Sequence, residues 1–205
     1  MNVFQGPAKI LRMRPKTAPR LPGEADCLAL MNHYMMPPHV IAHSRAVCGV
    51  AMYLTRALNA NGVSLNPDLV RAAALLHDIT KRFSFNRRLD HALTGAKLLR
   101  KIGYVEIASI VRQHVRLSVS RPPGRISEAE IVNYADKRVV EDQVTTLTDR
   151  INYIKNRYGR TPEALAVIDR FSAQTFEVEK DIFALIPGEP SDLMSLKTEE
   201  ECRRL

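Results

Sequence analysis

The chain has 205 residues, enough for one domain with a substantial core, and 45% of them are hydrophobic, an ordinary share for a soluble globular fold. No run approaches the roughly 18 apolar residues of a membrane span, and three cysteines without a CxxC pair indicate neither a thiolate metal site nor a disulfide framework. A net charge of +8 suits an anionic partner, whether a phosphorylated small molecule, a nucleic acid or an acidic surface.

Residues 1–23 hold Lys9, Arg12, Arg14, Lys16 and Arg20 with no acid, which reads as a basic, unfolded arm. There is no apolar block followed by a small-residue cleavage site, so the expectation is an intracellular, cytoplasmic protein. Base-stacking aromatics are scarce in the arm and no nucleic-acid motif appears, so nucleic acid is disfavoured as a partner and no membrane contact is expected. Residues 24–36 suit a short amphipathic helix that Pro37-Pro38 ends. From Val40 to about Ala60 the apolar positions Val47, Val50, Ala51, Leu54 and Leu58 recur at helical steps, and Asn61-Gly62 closes the run. Cys48 lies on this helix as a small core residue. His43, four residues before Val47, shares the inward face; His33 and His39 read as surface or capping residues.

Asn66-Pro67 starts the next helix, with Asn as cap and Pro in the first turn. It runs through Arg71-Ala72-Ala73-Ala74-Leu75-Leu76 into His77-Asp78, and Lys81 follows three residues later. Asp90 caps a helix that opens with His91 and carries Gly95. Gly103 precedes residues 104–117, where Ile107, Ile110, Val111 and His114 fall on one stripe. Residues 118–126, with Pro122-Pro123-Gly124, read as a basic loop. Ser127 and Glu130 form a capping box, and Val132, Asp136, Val139 and Val140 are placed on one face of the helix that follows. Thr161-Pro162 starts a last helix reaching about Leu185, and after Pro187 the chain is expected to fray. Strand-like alternation is absent throughout. The expected architecture is all-α, a single-domain helical bundle over residues 24–186 with a polar tail at 187–205.

His43, His77, Asp78, His91, His114 and Asp136 share one property: each lies on, or ends, an apolar helical face. One inward histidine is ordinarily a hydrogen-bonded core residue. Four histidines with two inward acids exceed what backbone hydrogen bonds satisfy, and convergence on metal would satisfy all of them together. Nitrogen and oxygen donors without sulfur favour iron, manganese or zinc.

The ordered set of His43-Ser44, His77-Asp78, His91, His114 and Asp136 within Tyr134-Ala135-Asp136-Lys137 resembles the HD-domain metal-dependent phosphohydrolase superfamily over about residues 38–150. The segment from Ala73 to Lys81 resembles its core signature, which more often has glycine where Thr80 stands. By this resemblance His43, His77, Asp78 and Asp136 would hold a first metal, and His91 and His114 would add the second site of binuclear members, with Asp78 bridging. The implied cofactors are two divalent transition-metal ions, iron or manganese first, with zinc, cobalt and nickel as other choices. Two ions about 3.5–4 Å apart can hold a hydroxide and neutralise phosphoryl oxygens.

The implied activity is hydrolysis of a phosphate ester or anhydride by a metal-bound hydroxide, with Asp78 and Lys81 catalytic. Lys81 is the first choice for binding the substrate phosphate, with Arg82 and Lys137 next. Arg87, Arg88, Arg112, Arg116, Arg121 and Arg125 would make the mouth positive. The GYP extension of cyclic-dinucleotide phosphodiesterases is missing after His91. The motif order is also similar to HD hydrolases that split dinucleoside tetraphosphates, so a nucleotide or dinucleotide is the expected substrate. A homo-oligomer is compatible with the chain. Two other classes use the same residues: a di-iron oxygenase of the HD fold, and a non-catalytic nucleotide-binding regulator.

Overall fold

The computed structural model describes residues 21–87, 89–118 and 125–204. Arg88, Arg121, the Pro122-Pro123-Gly124 loop and nearly all of the basic arm lie outside these residues. Helix α3 (Pro67–Leu76) is the hub, packing against α1 (Glu24–His33), α2 (Pro38–Ala60), α6 (Val105–Val111) and α7 (Glu128–Asp136). From Val70 to Leu76 every residue of α3 is buried. Its three consecutive alanines explain how: small side chains all round allow neighbours on several sides, where an amphipathic helix would offer one stripe. Asn66 accepts a hydrogen bond from the Leu69 N–H, and Pro67 fills the first turn, as the sequence implies. In α2 the stripe of Val47, Val50, Ala51, Leu54 and Leu58 is buried as its spacing predicts.

A short α4 (Lys81–Asn86) leads to α5 (His91–Lys101), capped by Asp90 and packed on α6. Ser127 and Glu130 make the expected capping box at the start of α7. The fold class is therefore all-α, with two departures from the periodicity. Helix α7 stops at Asp136, and Val139 and Val140 form β1 (Val139–Val140), paired antiparallel with β2 (Gln143–Val144). β-Branched residues flanking a two-residue turn favour this hairpin, and strands of two residues are too short to register as alternation. Helix α8 (Leu147–Tyr158) then precedes α9 (Pro162–Phe183); α8 buries only Leu147 and Ile151, which leaves little apolar pattern to read.

The residues after Pro187 do not fray. A 3-10 turn at Pro190–Ser195 and α10 (Thr198–Arg203) fold back, and α10 packs along α2 with Leu193 and Cys202 buried. Arg71 donates to the carbonyls of Cys202 (3.2 Å) and Arg204 (3.1 Å). Arg56 donates to the carbonyls of Glu201 and Arg204 and pairs with the Glu201 carboxylate. Contrary to the cysteine reading, Cys48 and Cys202 form a disulfide between α2 and α10. Gly49 makes room for this packing, since a Cβ there would lie 2.2 Å from the Thr198 carbonyl oxygen. Such partners are distant in sequence, and no local pattern announces them. Among the described residues, no helix is long and apolar enough to cross a membrane.

Candidate metal centre

Each of the six singled-out side chains sits near a helix end, and the helix ends meet. His43 comes from the first turns of α2, His77 caps α3, and Asp78 follows it in the turn. His91 opens α5, His114 follows α6, and Asp136 closes α7. Local polar bonds fix these positions. The Thr80 hydroxyl donates to the His91 carbonyl (3.0 Å), tying the start of α5 to the end of α3. The Asn133 amide donates to the carbonyls of Gln113 (3.1 Å) and His114 (2.9 Å), holding the loop after α6 against α7.

The histidine rings are oriented from behind. Nδ1 of His43, His77 and His114 each donates, at 2.7 Å, to the backbone carbonyl of Glu141, Ala74 and Val111 respectively. A carbonyl only accepts, so Nδ1 carries a proton and Nε2 faces inward, a donor when the ring is charged and a lone pair when it is neutral. There the Nε2 atoms meet carboxylate oxygens. His43 Nε2 lies 3.2 Å and His77 Nε2 3.7 Å from Asp136 Oδ1. His77 Nε2 is 3.4 Å and His43 Nε2 4.0 Å from Asp78 Oδ2. The other Asp78 oxygen, Oδ1, lies 3.4 Å from His91 Nε2 and 3.7 Å from His114 Nε2. Asp78 thus divides its two oxygens between two histidine pairs.

Imidazole nitrogens converging on carboxylate oxygens repel one another unless protons or a cation lie among them. His77 Nε2 and Asp78 Oδ1 are buried without a hydrogen-bond partner, which in a native interior calls for explanation. Two overlapping groups have ligand atoms within 4.8 Å of one another: His43 with His77 and Asp136, and His77 with Asp78 and His114. Nitrogen and oxygen donors in these numbers fit divalent transition metals, so the residues present could hold metal.

Fixed cations flank the acceptors. Lys81 Nζ lies 2.6 Å from Asp78 Oδ2, Lys137 Nζ 2.8 Å from Asp136 Oδ2, and an Arg150 guanidinium nitrogen 3.6 Å from Asp136 Oδ1. Burial alone would raise the carboxyl of Asp78, but the charges of His77 and Lys81 hold it well below the usual carboxylate range. Asp136 is likewise held low against its burial, by Lys137, the His43 hydrogen bond and Arg150. Burial, reinforced by the neighbouring histidines, pushes His114 well below the ordinary imidazole value. Burial also lowers His91. His77 runs the other way: burial would lower it, but Asp78, with Asp136 behind it, raises it. A metal takes neutral imidazole and ionised carboxylate, so it would displace the proton held between His77 and Asp78.

All six predicted ligand residues are brought together, and Lys81 stands at their rim with its side chain 40% exposed. Arg82 is exposed beside it. Lys137, expected at the substrate phosphate, is instead buried: its ammonium is held by Asp136 and donates to the His114 carbonyl at 2.6 Å. It directly follows the aspartate that ends α7, and that turn carries it inward. Arg87, Arg112, Arg116 and Arg125 are exposed, whereas Arg88 and Arg121 fall outside the described residues. Sequence reading missed Arg150, which enters from α8, a helix it had not anticipated. It also missed the Glu141 carbonyl behind His43, which depends on the hairpin. His33 and His39 are exposed, as expected.

Residues 40–150 match the family model described as the HD domain. An uncharacterised protein of Methanocaldococcus jannaschii is 28% identical over 135 residues, which cover 60% of this chain and 79% of that protein. The dihydroneopterin 2′,3′-cyclic phosphate phosphodiesterase of the same organism is 29% identical over 139 residues, 61% of this chain and 55% of that enzyme. The match to the phosphodiesterase thus spans about half of its length. No solved structure gives a significant match.

Proposed function

The chain belongs to the HD-domain family, and we propose that it is a metal-dependent phosphohydrolase acting on a phosphate ester or anhydride. The observation that carries this reading is Asp78, whose two oxygens face separate histidine pairs. His43, His77 and Asp136, with Asp78 Oδ2, would hold one divalent ion. His91 and His114, with Asp78 Oδ1, would hold a second. Iron or manganese suits this donor set best. Ions there would supply Lewis-acid polarisation of phosphoryl oxygens and an acidified water.

The chain's own residues do the rest. Lys81 keeps its charge because Asp78 and Asp136 outweigh the burial that would lower it. Its half-exposed ammonium takes a phosphoryl oxygen at the rim, and Arg82 lies outside it. Arg150 adds a guanidinium beside Asp136, in the geometry that binds phosphate oxygens in pairs. Lys137 acts from behind as a positioning residue, fixing Asp136 and the His114 loop. In the overall reaction, water oxygen bonds to phosphorus, the bond from phosphorus to the leaving oxygen breaks, and that oxygen leaves protonated. A nucleotide or a cyclic phosphodiester is the substrate class proposed, the latter supported by the related phosphodiesterase.

The test is elemental analysis of the purified protein together with hydrolysis of bis(p-nitrophenyl) phosphate and a 2′,3′-cyclic nucleotide panel. About two metal ions per chain and chelator-sensitive hydrolysis are expected. Replacing the partly exposed His91 by alanine should lower metal content and hydrolysis together. Two irons with oxygen uptake but no hydrolysis would replace the proposal by an oxygenase; no metal after loading would overturn it.

A further inference from the structure

Most of the centre is closed to solvent. The side chains of His43, His77, Asp78, His114 and Asp136 are 9% exposed or less, whereas Lys81 is 40% and His91 30% exposed. A substrate therefore reaches the acceptors between Lys81 and His91. At the His91 edge lies a cavity of about 290 Å³, lined by Asp90, His91, Ala92, Arg112, Val115 and Arg116.

Two features make this cavity more than a surface dent. First, the guanidinium groups of Arg112 and Arg116 have no hydrogen-bond or ion-pair partner among the described residues. Arg56, Arg71 and Arg138, by contrast, are each tied to carbonyls and carboxylates. Secondly, the one acid in the wall is committed elsewhere: Asp90 accepts the Leu93 N–H at 3.0 Å as the cap of α5. Two unengaged guanidiniums thus face one carboxylate, beside small apolar walls from Ala92 and Val115.

Resting on the phosphohydrolase reading, the geometry points to a second phosphate subsite. Arg112 and Arg116 bind a further phosphoryl group of the substrate, while its scissile phosphorus lies at His91 and Lys81. Guanidinium forks suit the paired oxygens of phosphate. The volume lies at the small end of ligand sites, which run from roughly 300 Å³. It takes one phosphate with a sugar-sized or base-sized fragment, not a second whole nucleotide. The substrate class is accordingly a monomeric sugar phosphate or nucleotide with two separate phosphoryl groups, in preference to a dinucleoside polyphosphate.

Calorimetry on the metal-loaded protein tests this with adenosine 3′,5′-bisphosphate and the 5′- and 3′-monophosphates as probes. The bisphosphate should bind at least tenfold more tightly than either monophosphate. In R112A/R116A that advantage should fall below threefold, and in R112E/R116E it should vanish. Equal affinity for bisphosphate and monophosphates in the wild type, or an advantage unchanged in both variants, overturns the subsite. Hydrolysis of bis(p-nitrophenyl) phosphate by the same wild-type preparation separates the two claims. Selective bisphosphate binding without hydrolysis overturns the phosphohydrolase reading and supports the subsite, and hydrolysis without selectivity does the reverse.

Discussion

Lys137 sits behind the centre, 2% exposed, with its ammonium between Asp136 and the His114 carbonyl. Burial lowers its pKa, and the adjacent Asp136 opposes that shift. Removing one member of a buried pair costs about 3–5 kcal/mol when the other charge is left unmatched; here Arg150 and His43 still face Asp136 and offset part of that cost. Lys137→Met should therefore lower the urea-unfolding free energy of the metal-free protein by several kcal/mol. It should also weaken metal binding about 10- to 100-fold, the usual effect of losing a group that orients a ligand. A metal titration matching wild type would show that Asp136 needs no such support. Cys27 gives a pH-dependent case far from the centre. It is fully buried, and burial, helped by Asp26 and Glu24, pushes its thiol from 9.0 up to about 12. An acid whose pKa rises on folding contributes no pH-dependent loss below the unfolded value and loses stability above it, because only the unfolded chain ionises there. The stability difference between wild type and Cys27→Ala should thus be flat below pH 9. It should then shrink by up to about 1.4 kcal/mol per unit between pH 9 and 12. A difference that stays constant across pH 10 would mean the thiol is not held out of water.

The hairpin after α7 carries more than its four strand residues suggest. Glu141, in the turn between β1 and β2, has a φ of 55°, the left-handed region that non-glycine residues occupy at a cost of roughly 1–3 kcal/mol. Its carbonyl is the acceptor for His43 Nδ1, so the strained turn sets that ring's tautomer and aim. Glu141→Gly should retain wild-type metal affinity within threefold, since glycine adopts this φ freely. Glu141→Pro, locked near −65°, should break the turn and lower affinity at least tenfold in a metal titration; equal affinities for the two variants would separate the hairpin from the centre. The hairpin also marks where sequence reasoning stops. Helix α2 is legible because its apolar positions recur at helical spacing, and α3 and α5 because recognisable caps open them. The six clustered His and Asp residues are legible because each is a polar group lying on, or ending, an apolar helical run. Helix α8, the docking of α10 and the inward turn of Lys137 leave no periodic trace, since each depends on partners brought from elsewhere in the chain. Arg150 stayed hidden for that reason: an arginine on a mostly solvated helix looks like surface until the fold sets it beside Asp136.

Across the whole molecule, the centre is where separate parts of the chain are joined. His43 and Asp136 are 93 residues apart, and between them the chain makes α3, α5 and α6, each contributing a side chain to the same cluster. The buried, unpartnered His77 Nε2 and Asp78 Oδ1 are a cost to the metal-free fold of about 1–3 kcal/mol each. A cation removes that cost only in the folded state, because the unfolded chain scatters the ligands. Metal binding should therefore act on global unfolding and not on one loop. At a free manganese concentration of 100 times Kd the gain is about 2.7 kcal/mol. For a chain of this size that corresponds to a rise in Tm of about 5–10 °C. Calorimetric scans of chelated and manganese-loaded protein should show this rise, and Asp78→Asn should abolish most of it by removing a carboxylate charge shared by both histidine pairs. Hydrogen exchange should slow in α2, α3, α5 and α7 together on loading. Identical Tm values with and without metal would mean that the converging acceptors are satisfied by protons alone, since a bound ion that bridges these elements cannot leave their joint stability unchanged.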